Sequence, residues 1–160
     1  MIAQGDGAIM RVNWFNRQVD LTLNMYSLKT KKGYFKVPLT MVLRAIRGAT
    51  QVSVNSSVAI GDGVRELLPA MLKANGLEVD DVISVLMTAT PDLTADFPAA
   101  AARDVGFAGT PLICAVEIDV TGALGRIIRV LMHAESDKSK SEISHIYLHG
   151  ATALRKDLAQ

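Results

Sequence analysis

The sequence predicts a mixed α/β fold of the α+β class, in which helices cover one face of a mixed sheet and an oligomeric partner covers the other. Two observations support this prediction. Beyond Met41 the chain alternates strand-like and helix-like segments, and the strand-like segments are strongly apolar and too numerous for a small sheet to leave uncovered. With 160 residues, 49% hydrophobic and 21% charged, the chain is long enough for one domain with a sizeable core.

Six segments have the apolar, β-prone composition of strands, with turn-forming residues between them. They span residues 41–46, 50–54, 83–89, 111–118, 127–133 and 143–149. A polar loop over 137–142 precedes the last strand. No apolar run reaches the roughly 18 residues needed to cross a bilayer, so we expect no membrane-spanning segment.

Two helices are predicted between these strands. Ser56 or Ser57 is a candidate N-cap for the longer helix, whose apolar residues recur at helical spacing, and Gly76 marks its end. Pro69 lies inside this helix and predicts a kink or a local break, because proline removes a backbone donor. The shorter helix begins near Pro98 and continues over an alanine-rich run.

Residues 1–40 differ in composition from the rest of the chain. They carry six basic and two acidic side chains, whereas residues 41–160 carry 11 basic and 14 acidic ones, and five of the eight aromatic residues lie in the first 40. We interpret residues 1–40 as an N-terminal extension, non-native or disordered, ahead of a domain over 41–160. The alternatives are a basic arm that contacts nucleic acid and a targeting segment. A secretory signal is excluded, because the segment has no central apolar stretch and no small-residue cleavage site.

Several kinds of site are absent from the sequence. The single cysteine, Cys114, cannot form an intramolecular disulfide, which favours a reducing, cytoplasmic location. The three histidines lack metal-ligand spacing, no glycine-rich loop follows a strand in a nucleotide-binding pattern, and Cys114 has no obvious histidine partner. We therefore expect no metal, no cofactor, and neither nucleic acid nor a membrane as a partner.

Charged residues inside apolar strands are the most informative signal. Arg129 lies between Ile127 and Leu131 on the same face of a strand, and Glu117 lies inside the predicted apolar strand that contains Cys114. Burying a guanidinium is costly unless an anion pairs with it. Two interpretations remain open: a structural Arg129–Glu117 ion pair, buried or at a subunit interface, or a pocket for an anionic ligand. Regular alternation places Cys114 and Glu117 on opposite faces of their strand.

Two further polar residues have both an ordinary and a functional interpretation. Arg47 precedes Gly48, which permits close backbone approach, but it is also compatible with an ordinary surface arginine. Tyr147 shares a strand face with His145 and His149, and from the pattern alone this face is more typical of a solvated than of a catalytic surface.

Several sequence blocks resemble the monofunctional, trimeric chorismate mutases of the AroH type. The match begins with LRAIRGAT and is most specific in CAVEIDVTG. Its blocks span residues 43–50, 87–93, 97–99, 114–122, 128–130, 145–148 and 154–158. The blocks are spread in order along the chain, so the resemblance spans roughly residues 41–158.

This resemblance implies a homotrimer with a pseudo α/β-barrel core, helices packed on its outside and active sites in the clefts between subunits. The implied reaction is the Claisen rearrangement of chorismate to prephenate, in phenylalanine and tyrosine biosynthesis. A pericyclic reaction needs neither a nucleophile nor a cofactor, but it does need a restrained substrate conformer and charge complementarity at the breaking ether bond.

The resemblance also implies a role for individual residues. Arg129 would place its cation at the ether oxygen, and Glu117 would accept a hydrogen bond from the ring hydroxyl, with Cys114 nearby. Arg47 and Tyr147 would bind a substrate carboxylate. The other implied pocket residues form the strand wall, close the pocket from the C-terminal end, or come from the neighbouring subunit. The strand wall is Ile113, Cys114, Ala115 and Val116. The residues at the C-terminal end are Leu154 and Arg155, and those from the neighbouring subunit are Phe97, Ala99 and Arg103.

The sequence departs from the family pattern after the Phe-Pro-Ala block, where Ala100 stands in place of a frequent lysine. The tail also ends soon after Arg155, and we expect both features to affect substrate affinity more than the chemical step. Two alternative functions remain: a non-catalytic trimeric module that binds an anionic metabolite, and a trimeric enamine/imine deaminase of similar architecture. The first has no use for Glu117, and the sequence blocks do not match the second.

Overall fold

The computed structural model describes residues 41–155 in full and, among the first 40 residues, only the backbone of five strands. Residues 1, 5–6, 15–16, 23–26, 31–32, 37–40 and 156–160 lie outside the described part. The chain divides into two compact units, Met1–Met41 and Val42–Gln160. The interpretation of residues 1–40 as a non-native or disordered extension stays a prediction.

The first unit is an antiparallel sheet in which consecutive strands pair. Its strands are β1 (Ile2–Gln4), β2 (Gly7–Trp14), β3 (Arg17–Thr22), β4 (Ser27–Thr30) and β5 (Gly33–Lys36).

The second unit combines one mixed sheet with two α-helices. Its elements are β6 (Val42–Gln51), α1 (Ser57–Asn75), β7 (Val82–Ala89), α2 (Pro98–Asp104), β8 (Leu112–Val116), β9 (Ile127–Ser136) and β10 (Ile146–Leu148). Short 3₁₀ helices cover Val79–Asp81, Phe107–Gly109 and His149–Arg155. The strand order is β10-β6-β9-β7-β8, with β9 antiparallel to both neighbours and the outer pairs parallel. The predicted α+β fold with a mixed sheet is confirmed.

The helix predicted after residue 56 forms with the expected ends. The Ser56 hydroxyl accepts a hydrogen bond from the Ala59 amide (3.2 Å), and Gly76 ends α1 in the left-handed region at φ 65°. The expected break at Pro69 is wrong, because α1 continues through it. Pro69 is exposed, so the carbonyl that loses its partner lies on the solvent side of the helix, where water replaces the bond.

Several strand boundaries differ from the sequence prediction, including β8, which ends at Val116, and β9, which continues to Ser136. The sequence predicts separate strands over residues 41–46 and 50–54, whereas β6 is continuous through Gly48, which pairs with Val130 and lies beneath the Met71 side chain. The glycine therefore provides space for a helix side chain rather than a turn. The final strand begins only at Ile146, and it ends at Leu148 because His149 adopts a left-handed conformation (φ 51°) and starts a 3₁₀ helix.

The two faces of the mixed sheet differ in burial. On one face α1 and α2 cover a core that includes Ile46, Leu67 and Met132, all fully buried. On the other face, called the open face below, Leu43 is 57% and Ile113 63% exposed. No helix in the described part of the chain is both long and apolar enough to cross a membrane.

Candidate active site

A cavity of about 350 Å³ lies on the open face, beside the 3₁₀ helix His149–Arg155. Its walls are otherwise apolar, from residues such as Leu86, Leu131 and Leu154. Its polar lining residues are Arg47, Thr88, Arg129, Tyr147 and Arg155, which include three arginines and no carboxylate. The cavity therefore suits an anionic ligand with an apolar body.

Strand register brings residues from five strands into one row across the open face. The β-ladders pair Tyr147 with Ala49, Ala49 with Arg129, Arg129 with Thr88, and Thr88 with Ala115. Arg47 lies two residues before Ala49 on β6 and opposite Leu131, so its side chain reaches the same face. The sheet itself thus aligns the polar groups of the cavity.

Arg129 and Glu117 form an ion pair at the side of this row. Arg129 Nε lies 2.9 Å from Glu117 Oε1, and the Thr88 hydroxyl donates to the same oxygen at 2.7 Å. Glu117 follows β8, where its amide still donates to the Ala89 carbonyl (3.0 Å). The Glu117 side chain is 14% exposed and that of Arg129 46% exposed, so the guanidinium is not buried in the core.

The backbone of Arg47 is held by His145, which directly precedes β10. Its amide donates to His145 Nδ1 at 3.1 Å. Burial, and then the positive charges of Arg47 and Arg155, lower the pKa of His145. A neutral His145 keeps Nδ1 available as an acceptor, and that acceptor fixes the β6 backbone where Arg47 enters the cavity.

The role of Tyr147 stays a prediction, but its side chain is half-buried where it lines the cavity. The reason is that Ala49, its partner across the ladder, belongs to a small apolar cluster with Ile127, against which Tyr147 packs. His149, by contrast, is exposed and its Nε2 lies 2.8 Å from Glu66 Oε2.

The β8 residues divide between the two faces as alternation predicts. Ile113 and Ala115 pair with Leu86 and Thr88 on the open face, whereas Cys114 packs against the core. The Cys114 thiol therefore lies on the other side of the sheet from the Arg129–Glu117 pair. Val116, near the end of β8, is exposed.

The predicted residues 113–117 of the β8 region do not line the cavity, and neither do the three predicted residues at α2. Phe97, which precedes α2, is 73% exposed. Within α2, Ala99 is on the buried side of the helix and Arg103 is exposed. Leu154 and Arg155, at the other end of the chain, do line the cavity.

Sequence reasoning missed Thr88 and His145 as residues that hold the charged groups. A signal for Thr88 was present, because Ser84 and Thr88 recur with even spacing in an otherwise apolar strand, which indicates a polar stripe on one face. No signal identified the partner of His145. Within residues 41–155, no three His, Cys, Asp or Glu side chains are arranged to hold a metal ion.

Comparison with known proteins gives consistent matches over the second unit. The family model for chorismate mutase type I matches residues 43–158. Two relatives are each named chorismate mutase AroH. The one from Thermus thermophilus is 43% identical over 118 residues (73% of this chain, 97% of the relative), and the one from Bacillus subtilis is 40% identical over 120 residues (74% and 94%). A solved chorismate mutase from Clostridium thermocellum is similar with a TM-score of 0.68 and 51% identity, over 69% of this chain and 98% of that one.

Proposed function

We propose that Arg129 and Glu117 are the catalytic pair of this chain, which belongs to the chorismate mutase type I family. The chain is an isomerase that rearranges chorismate to prephenate, a step of aromatic amino acid biosynthesis. The residues that carry out the reaction, the assembly and the cellular location belong to the proposal.

The chemistry defines what the site has to supply. In the Claisen rearrangement one carbon–oxygen bond breaks and one carbon–carbon bond forms within the same molecule, with no exchange of protons or electrons. The protein therefore contributes by holding the side chain of chorismate over its ring and by stabilising the negative charge that develops on the ether oxygen.

The observation that carries the proposal is the Arg129–Glu117 pair, in which Arg129 lines the cationic and apolar cavity and Glu117 is held beside it. Arg129 Nε lies 2.9 Å from Glu117 Oε1 in an ion pair, and no described side chain bonds the terminal nitrogens of Arg129, so these can donate to the ether oxygen. The Glu117 carboxylate accepts the hydrogen bond of the ring hydroxyl. A module that only bound an anion would gain nothing from this carboxylate.

Chorismate carries two carboxylates, which suit a cationic lining. Arg47 and Tyr147 bind one of them, with the Arg47 backbone held by His145. Leu154 and Arg155 close the cavity from the C-terminal side. Ile113, Cys114, Ala115 and Val116 contribute the strand wall, and Cys114 does so through its main chain, because its side chain packs in the core.

We also propose a homotrimer with active sites between subunits. Its support is the open face, where Leu43 and Ile113 expose apolar surface, and the position of Phe97, Ala99 and Arg103 outside their own cavity. A neighbouring subunit would bring these three residues to the cavity. A dispensable extension over residues 1–40 and a cytoplasmic location, favoured by the single cysteine, complete the proposal.

The assay is the loss of chorismate ultraviolet absorbance with wild-type protein, Arg129→Lys and the control Arg65→Lys. Arg65 is exposed on α1 and pairs with Asp62 and Asp104, away from the cavity. Lysine lacks the planar fork that serves Glu117 and the ether oxygen together, so kcat of Arg129→Lys should fall by about 10²–10³-fold. The control should keep wild-type turnover.

Near-normal turnover by Arg129→Lys, with an unchanged melting temperature, would contradict the catalytic role of Arg129. If the wild-type protein raised its melting temperature with chorismate but did not turn it over, the function would be that of a binding module instead.

A further inference from the structure

Glu117 has two carboxylate oxygens, and the protein holds only one of them. The Thr88 hydroxyl (2.7 Å) and Arg129 Nε (2.9 Å) both meet Oε1. No described side chain binds Oε2, which is therefore available to a ligand. Hydrogen bonds to a charged acceptor are short and strong, and the Thr88 bond is in that range.

The ladder explains why Thr88 makes this contact. On β7 it lies opposite Arg129 of β9 and opposite Ala115 of β8, two residues before Glu117. Its β-branched side chain is restricted at χ1, whereas the terminal torsion of a glutamate is broad. Thr88 is thus the rigid member of the contact and Glu117 the member that needs orienting.

We propose that Thr88 is a positioning residue that sets the orientation of the Glu117 carboxylate, so that Oε1 stays with Arg129 and Oε2 faces the substrate hydroxyl. This inference rests on the proposed function of Glu117. A threonine has one hydroxyl hydrogen, and Thr88 donates it to Glu117, so it has none to donate to the substrate. Thr88 therefore acts through Glu117 rather than on the reacting atoms.

The test compares Thr88→Val, which keeps the shape but loses the hydroxyl, with Thr88→Ser, which keeps the hydroxyl. Because Thr88→Val loses a hydrogen bond to a charged group, its kcat/KM should fall by about tenfold or more. Thr88→Ser should stay close to wild type. Ser84→Ala is the matched control, because Ser84 lies on the same strand and its hydroxyl bonds His133 Nδ1 (3.1 Å) outside the proposed catalytic pair. It should keep wild-type kcat/KM.

A double-mutant cycle separates positioning from a general effect on the strand. Thr88→Val is combined with Glu117→Ala, and both kcat/KM and the calorimetric Kd for prephenate are measured in all four proteins. If Thr88 acts through Glu117, Thr88→Val should change either quantity by less than about twofold in the Glu117→Ala background. The prephenate Kd completes the cycle even where turnover is too slow to measure.

Two outcomes would overturn the inference. One is wild-type kcat/KM in Thr88→Val, and the other is an equal loss with and without Glu117. Normal turnover by Glu117→Ala alone would instead contradict the proposed function of Glu117. A slow Glu117→Ala together with a normal Thr88→Val would remove only the positioning role.

Discussion

At Arg129 a cation interrupts an apolar strand without being buried, because the ladder directs that position onto the cavity. The period-two pattern is sufficient to mark Arg129 and Glu117 as exceptional, since each carries a charge at or beside an apolar strand. The pattern does not identify Thr88 as their partner, because the register between β7 and β9 depends on packing across the whole sheet.

At the same scale, we expect His145 to make the cavity sensitive to pH. Arg47 and Arg155 lie beside it, and Arg44, Lys140 and His133 line, together with His145, a second cavity of about 360 Å³. Burial, and then the positive charges of Arg47 and Arg155, disfavour protonation, so the pKa of His145 lies below its ordinary value of 6.5.

We therefore predict that the acceptor role of His145 is lost in acid. Because the unfolded chain takes up this proton at higher pH than the folded protein, His145 lowers folding stability as pH falls through and below 6.5, until the folded form protonates too. His145→Asn keeps a side-chain acceptor but does not titrate. The free energy of unfolding of wild type, relative to this variant, should decrease as pH is lowered, and KM for chorismate should rise in wild type.

The free energy of unfolding in urea and KM for chorismate are measured between about pH 5 and pH 8, a range that brackets the ordinary histidine pKa. His149→Asn is the control, because His149 is exposed and bonded to Glu66. It should not remove the acid-induced loss. A difference between wild type and His145→Asn that does not change with pH would contradict the prediction.

Among the elements, α1 was the most predictable and β6 the least. Ser56 and Gly76 are local signals, and each acts on its own helix end in the structure. Gly48 has the character of a break in the sequence, whereas in the fold it lets Met71 approach β6, which depends on where α1 packs. The capping residues were thus sufficient to predict the ends of α1, but no local signal was sufficient to predict that β6 continues through Gly48.

The end of α1 gives a prediction about stability. A Cβ at Gly76 would meet nothing within 4 Å, so only its φ of 65° opposes a side chain. Gly76→Ala should lower the free energy of unfolding by about 1–2 kcal/mol, the cost of a left-handed conformation for a non-glycine residue. Gly109→Ala is the matched control, since its Cβ also has open space but no positive φ is required.

Urea unfolding of both variants checks this prediction. Gly109→Ala should change the free energy by less than about 0.5 kcal/mol, as surface substitutions away from special backbone conformations usually do. Equal effects of the two variants would show that the backbone conformation of Gly76 is not the cause. Both should retain chorismate turnover, because neither residue lines the cavity.

At the scale of the whole molecule, the open face and the two compact units lead to one prediction about assembly. We expect a chain that begins at Met41 to sediment at three times its own mass and to convert chorismate at least as fast as the full chain. The physical reason is that residues 43–155 supply both the apolar open face and the cavity. Sedimentation and the absorbance assay measure the two properties.

Two matched substitutions test the role of the open face in this assembly. Ile113→Glu places a charge on it and should dissociate the trimer and abolish turnover, because burying an unpaired carboxylate is costly. Val58→Glu, at a residue 68% exposed on α1, should do neither. A monomer with full turnover, or an intact trimer of Ile113→Glu, would contradict the proposed assembly.

Local sequence was sufficient to predict the helix with its caps, the apolar strands, and the two charges that do not fit their strands, because these depend on neighbouring residues. Three features follow only from the packed fold: β6 is continuous, Thr88 holds Glu117, and Arg47 meets His145, 98 positions away. Such contacts depend on strand order and register. These are fixed when the helices and the sheet pack together, so they cannot be deduced from any local segment of the chain.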